Sequence, residues 1–388
     1  MHLPTIVYLV HGMGCGSKDG SAPPPGQDWT ASAISTFEFL CTTFGLPKPS
    51  VVHPDDLQPP PNSAVPNAIW LAPLSYYPVF DEFRSSSADR AKLAKGVSNA
   101  LSDADITRLT KTDFAWTNCL DVLLWWADDI QTQNRVTATL GKGLTAINQL
   151  AATIPGATTR RIIVSHSLGT AATTATLRHL STNQVWKNST GFEAWFTLAN
   201  VAPFLMEQDD VYDLSLLPDG EGSLIQPHMY NGRNECDPIP WLLPFRAFSP
   251  KRAGVNAQAW KDAESGGFYE VVETLDVAAL LGETPTISGV HGYMNYMLSP
   301  DIALRLATHV RGSGFALAEL AAINYTKTWN ALPHLSCKND KGAFKALRKE
   351  VANFKSGGPI TVGGDPKVDW IRRLLDGTEL LLSFEARC

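Results

Sequence analysis

The sequence predicts an α/β protein with a mostly parallel central sheet and helices on both faces. Short apolar runs alternate along the chain with longer stretches of helical spacing, the pattern of strands joined by helical crossovers. Runs such as 120–126 are apolar almost throughout, as in strands covered on both sides. One run, Arg161-Ile162-Ile163-Val164, stops at Ser165-His166-Ser167-Leu168-Gly169 and gives way at once to an Ala/Thr-rich helical stretch. That sequence is the signature of a strand, a tight turn and a helix.

Taken in order, residues 5–10 form a strand that runs straight into His11-Gly12-Met13-Gly14. A stretch of small residues follows over 15–27, and Asp28 caps a helix reaching about residue 44. The proline-rich segment 45–67 reads as an irregular excursion. Residues 68–76 give a second strand, 85–102 and 105–117 two helices, and 120–126 a third strand. Residues 134–154 have helical spacing through Val136, Leu140, Leu144, Ile147 and Leu150, and Pro155-Gly156 ends them. The turn at Ser167, a helix over 168–180 and a strand over 193–198 come next. A short strand precedes Asp237, a last strand covers 269–275, and a helix covers 301–310. Segments 45–67, 206–227 and 238–267 read as lid-like insertions, the last apolar, aromatic and broken by prolines, fit for a lid or the wall of an acyl pocket or for a proline-pinned loop packed on the core.

The 388 residues suit one large domain with insertions and bury a sizeable core without covalent staples. A net charge of −6 leaves no electrostatic footprint for nucleic acid and argues against polybasic attachment to anionic lipid. No run approaches the roughly 20 apolar residues of a membrane span. The N-terminus lacks a signal-peptide pattern, so a cytoplasmic location is expected, with export by a non-classical route left open. Six scattered cysteines with no CxxC pair speak against a zinc site and a disulfide framework. His53 with Asp55-Asp56 reads as a solvated loop, so no metal and no cofactor are expected.

The chemistry centres on Ser167. A serine hydroxyl needs a base within hydrogen-bond reach to act as a nucleophile. Serine also favours helix N-caps, but the full strand–turn–helix context favours the nucleophile. Downstream, Asp237 follows a strand-like segment, and His291 lies in a turn, Gly289-Val290-His291-Gly292, before a helix. The order is nucleophile, acid, histidine. Glu235 competes with Asp237. His228 and His309 compete with His291, but His228 breaks the order and His309 falls within a helix.

With these parts the chain resembles the α/β-hydrolase-fold serine hydrolases of the lipase/esterase kind, over about residues 1–325. Residues 326–388 form an extension of unknown role. The match to G-x-S-x-G is partial, because Ser165 stands where glycine is usual. The resemblance implies a Ser167–His291–Asp237 triad and an oxyanion hole from the backbone N–H groups of Met13 and Leu168. It gives His11 and His166 supporting parts. Trp241, Leu242 and Phe245 are candidates for the wall of an acyl pocket. The implied substrate is a small-molecule or lipid-like carboxylic ester, with transient membrane-surface contact if lipid. A thioesterase, amidase or peptidase would use the same parts, and a non-catalytic hydrolase-like binding module is the alternative outside enzymes.

Overall fold

A computed structural model describes residues 4–12, 29–61, 63, 67–80, 102–110, 121–122, 124–125, 129–154, 159–183, 186, 191–218, 220, 223–234, 237–241, 245, 256–263, 268–273, 291–312, 349–350, 372, 375–377 and 379. Among the described residues seven strands form one sheet: β1 (Thr5–Val10), β2 (Ser50–Val51), β3 (Ile69–Leu74), β4 (Arg160–His166), β5 (Phe192–Leu198), β6 (Ile225–Asn234) and β7 (Phe268–Glu273). Their spatial order is β2-β3-β1-β4-β5-β6-β7, and every neighbouring pair is parallel. After β1 the chain crosses to the edge strand β2, steps back inward through β3 to lie beside β1, and then lays β4 against the other side of β1. The winding direction therefore reverses between β1 and β4. In open α/β sheets the crevice beyond the carboxyl ends of such strands is where ligands bind.

The helices whose bounds fall among the described residues are α1 (Trp29–Thr43), α2 (Asp103–Thr110), α3 (Asp129–Ala152), α4 (Leu168–Ser181), α5 (Ala202–Leu205), α6 (Gln208–Val211), α7 (Ala257–Ala263), α8 (Tyr293–Met297) and α9 (Pro300–Arg311). Because side chains alternate across a strand, β1 feeds two cores. Ile6, Tyr8 and Val10 pack with Leu140 and Leu144 of α3 and with Ala171 and Leu177 of α4. Val7 and Leu9 pack with Phe37 and Leu40 of α1, Met297 of α8 and Leu306 of α9. Both faces of the run from Ile6 to Val10 therefore need apolar residues, and each buried one contributes about 1.5–3 kcal/mol.

Several expectations need correction. The strand expected over 120–126 is not seen in its described residues: Asp121, Val122, Leu124 and Trp125 are helical. A short apolar run fits a buried helix as well as a buried strand, and here Val122 and Trp125 are buried, with the Trp125 indole donating to the Leu205 carbonyl. The excursion 45–67 contains β2, which pairs with β3 and lies at the sheet edge. Segment 206–227 is partly folded into the core: Val211, Tyr212 and Leu216 are buried, and β6 begins at Ile225. Of the two helices expected at 85–102 and 105–117, the first lies almost wholly outside the described residues, and the described part of the second belongs to α2.

The described part of 326–388 packs on the rest of the protein. Leu375 is 1% exposed within the α3/α4 core. Arg108 on α2 pairs with Asp376 at 2.6 Å and Glu379 at 2.8 Å, and Arg372 Nε donates to Asp105 Oδ2 at 3.0 Å. No helix among the described residues is long and apolar enough to cross a membrane.

Candidate active site

The turn between β4 and α4 is built by close packing. Ser167 has φ 52° and ψ −127°, a conformation that costs a non-glycine residue on the order of 1–3 kcal/mol. Its surroundings hold it there. Its N–H donates to the Leu198 carbonyl on β5 at 2.9 Å, and its carbonyl accepts from the Thr170 N–H at 2.8 Å and the Thr170 hydroxyl at 2.7 Å. Two glycines make room. A Cβ on Gly169 would stand 2.1 Å from the His11 carbonyl oxygen, and one on Gly12 would stand 2.8 Å from the Cβ of Ser167. The end of β1 thus lies directly against the first turn of α4, as the small neighbours in the sequence require.

Ser165 has a hydroxyl where the usual motif has none. It accepts from the Trp195 indole N–H at 2.9 Å and donates to the Phe196 carbonyl at 3.3 Å, both on β5. A buried polar side chain is tolerated here because both of its hydrogen-bonding roles are filled.

Ser167 stands at the N-cap of α4, yet its side chain makes no capping bond. Its Oγ lies 2.8 Å from His291 Nε2, and His291 Nδ1 lies 2.6 Å from Asp237 Oδ2. A carboxylate only accepts hydrogen bonds, so Nδ1 carries the hydrogen, and Nε2 of a neutral ring then accepts from the serine hydroxyl. The three residues come from the β4–α4 turn, the loop after β6 and the turn before α8. Asp237 is 0% exposed. Its Oδ1 accepts from the Ile239 N–H at 3.0 Å, and its Oδ2 also accepts from the Tyr296 hydroxyl at 2.7 Å.

Two further histidines brace this arrangement. His166 Nε2 donates to the His291 carbonyl at 2.7 Å. Burial, then the neighbouring His291, drives the His166 pKa well below the usual value, so the ring is a neutral strut. His11 donates from Nδ1 to the Gly12 carbonyl at 2.8 Å, and its Nε2 accepts from the Tyr76 N–H at 3.3 Å. Its ring stacks on Tyr76 at 4.1 Å, and the Tyr76 hydroxyl donates to the His11 carbonyl at 2.9 Å. Burial lowers the His11 pKa to about 4. His11 therefore ties the end of β1 to the end of β3 as a neutral ring. Trp29 and Tyr77 complete an aromatic surround, with ring centroids 5.1 Å and 6.4 Å from that of His11.

Other sequence candidates fall elsewhere. Leu168 is the first residue of α4, where backbone N–H groups lack intrahelical acceptors and the helix dipole favours negative charge. Met13, Leu242 and Glu235 lie outside the described residues. Trp241 is half-buried, donates to the Asn234 carbonyl at 3.0 Å and lies under the Arg233 guanidinium at 4.3 Å. Phe245 is 2% exposed and stacks on Tyr212 at 5.1 Å beside Trp260, a core setting. His309 belongs to a separate chain of contacts, with Glu193 on Nδ1 and Tyr230 on Nε2, each at 2.8 Å. His228 lies beside it, with ring centroids 5.1 Å apart. No cluster of metal-binding side chains occurs among the described residues.

Sequence reasoning missed Tyr296 and Tyr76. Tyr296 is 59 positions from the carboxylate it binds, and no local pattern links them. Comparison with protein-family models, curated proteins and solved structures finds no match to this chain.

Proposed function

We propose that this protein is a serine hydrolase of the α/β-hydrolase kind that cleaves carboxylic esters through an acyl-enzyme. The observation that carries the reading is His291 bridging Ser167 Oγ at 2.8 Å and Asp237 Oδ2 at 2.6 Å. The site's place at the carboxyl ends of β1 and β4, where the sheet order reverses, supports it further.

In this mechanism Ser167 Oγ attacks the ester carbonyl carbon while its proton passes to His291 Nε2. Asp237 holds the ring and stabilises the imidazolium that forms. The Leu168 N–H at the start of α4 is one donor to the tetrahedral oxyanion in this reading, and the second donor expected from the sequence, the Met13 N–H, lies outside the described residues. Collapse breaks the carbon–oxygen bond, and the leaving alcohol takes the proton from His291. Water then repeats the cycle on the acyl-serine, releasing the acid. Every proton is accounted for by these side chains and the water consumed.

Fluorophosphonate labelling followed by peptide mapping tests the reading. Covalent capture at Ser167 in the wild type, absent in Ser167→Ala, is the expected result. Folded wild type that takes no label at Ser167 would return the chain to the binding-module alternative. A panel of p-nitrophenyl esters from acetate to palmitate, run beside a thioester and an anilide, assigns the substrate class. Activity rising with chain length supports a lipid-like acyl group.

A further inference from the structure

We infer that Tyr296 is a positioning residue that fixes Asp237 for its work on His291, an inference that rests on the hydrolase reading. The Tyr296 hydroxyl donates to Asp237 Oδ2 at 2.7 Å, the same oxygen that receives His291 Nδ1–H at 2.6 Å. Its own oxygen accepts from the Asn234 N–H at 3.3 Å, at the end of β6. Burial first, and then the adjacent Asp237 charge, push the phenol well above its ordinary pKa, so it stays a donor at any working pH. The ring is 1% exposed and lies in the core with Met297 and Ile302.

The carboxylate is thus held at three points. The Ile239 N–H holds Oδ1 from its own loop. Tyr296 and His291 converge on Oδ2 from one short stretch of chain, the turn entering α8 and α8 itself. Without the hydroxyl, Oδ2 has one of these two donors left, and the carboxyl plane is held at two points instead of three. The imidazole would then have a less firmly fixed partner to set its orientation and tautomer. Tyr296 is not one of the three residues proposed to react, so the effect of its hydroxyl on turnover is expected to pass through Asp237.

A double-mutant cycle on p-nitrophenyl ester hydrolysis tests this. Tyr296→Phe keeps the ring and removes the hydroxyl. Its kcat is expected to fall about tenfold with KM within about twofold, as loss of a hydrogen bond to a charged group implies. Asp237→Asn/Tyr296→Phe should be no slower than Asp237→Asn alone. Wild-type turnover in Tyr296→Phe, or a Tyr296→Phe loss that multiplies in full onto Asp237→Asn, would overturn the inference. The far-downfield proton resonance of the His291 Nδ1–H bond supplies a readout without turnover. It should shift in Tyr296→Phe, and an unchanged resonance counts against the inference. If Tyr296→Phe does not fold, 3-fluorotyrosine at position 296 alters donor strength with the same shape, and the same resonance must move. Absence of Ser167 labelling in the wild type overturns the hydrolase reading instead, and the resonance still judges the role of Tyr296.

Discussion

Three atoms set the chemistry proposed for this protein: Oγ of Ser167, Nε2 of His291 and Oδ2 of Asp237. Ser167→Ala and His291→Ala are expected to lower kcat by about 10⁴-fold or more while leaving the thermal unfolding midpoint near that of the wild type. Asp237→Asn should cost on the order of 10³–10⁴-fold, because an amide in place of the carboxylate favours the wrong imidazole tautomer. Full activity in Asp237→Asn would remove that residue from the mechanism. At this scale the sequence carried the three principal residues through the order serine, acid, histidine. It carried nothing of Tyr296 or Tyr76, whose partners are brought near only by the completed fold.

Among the elements, β1 and α4 matter most, because their ends touch. Gly169→Ala would drive a methyl group into the His11 carbonyl, 2.1 Å from the Cβ position, so β1, α4 or both must shift. Gly12→Ala presses instead on Ser167 itself, at 2.8 Å. We expect Gly169→Ala to lower both stability and activity. Gly12→Ala should lower activity by about 10²-fold, since a misplacement near 1 Å is enough for that, with a smaller change in unfolding midpoint. Equal damage to both properties in both variants would contradict this division. The strands β1, β4 and β5 and the helices α3 and α4 are legible in the sequence because each is long and its apolar spacing is distinct. The run 120–126 is misleading for a physical reason: seven apolar-rich residues satisfy a buried helix and a buried strand alike. β2 is invisible because two residues carry no periodicity at all.

For the molecule as a whole, acid is expected to be the weak point. The unfolded chain binds a proton at His11 near the ordinary value of 6.5, whereas the folded protein resists it until about pH 4. The unfolded state therefore holds more protons in that window, and stability falls as pH drops through it. The gap converts to about 3 kcal/mol for His11 alone, and His166 adds to it in the same direction. Urea unfolding at pH 7 and pH 4.5 should differ by at least about 2 kcal/mol, and a flat profile would mean that these rings are not held neutral. The C-terminal part offers a second contrast. Leu375→Ala removes a core side chain and should cost about 2–5 kcal/mol. Arg108→Ala breaks pairs whose carboxylates are 51% and 47% exposed, and should cost less than about 1 kcal/mol. Packing, rather than charge, is then what keeps that segment in place.

Ser165 changes how related chains should be sought. Its hydroxyl meets an indole from β5, 30 positions further on, so the two residues form a matched set. Replacing this serine with glycine would leave the tryptophan nitrogen without that acceptor in a dry interior. A search keyed to glycine at that place will pass over sequences built in this way.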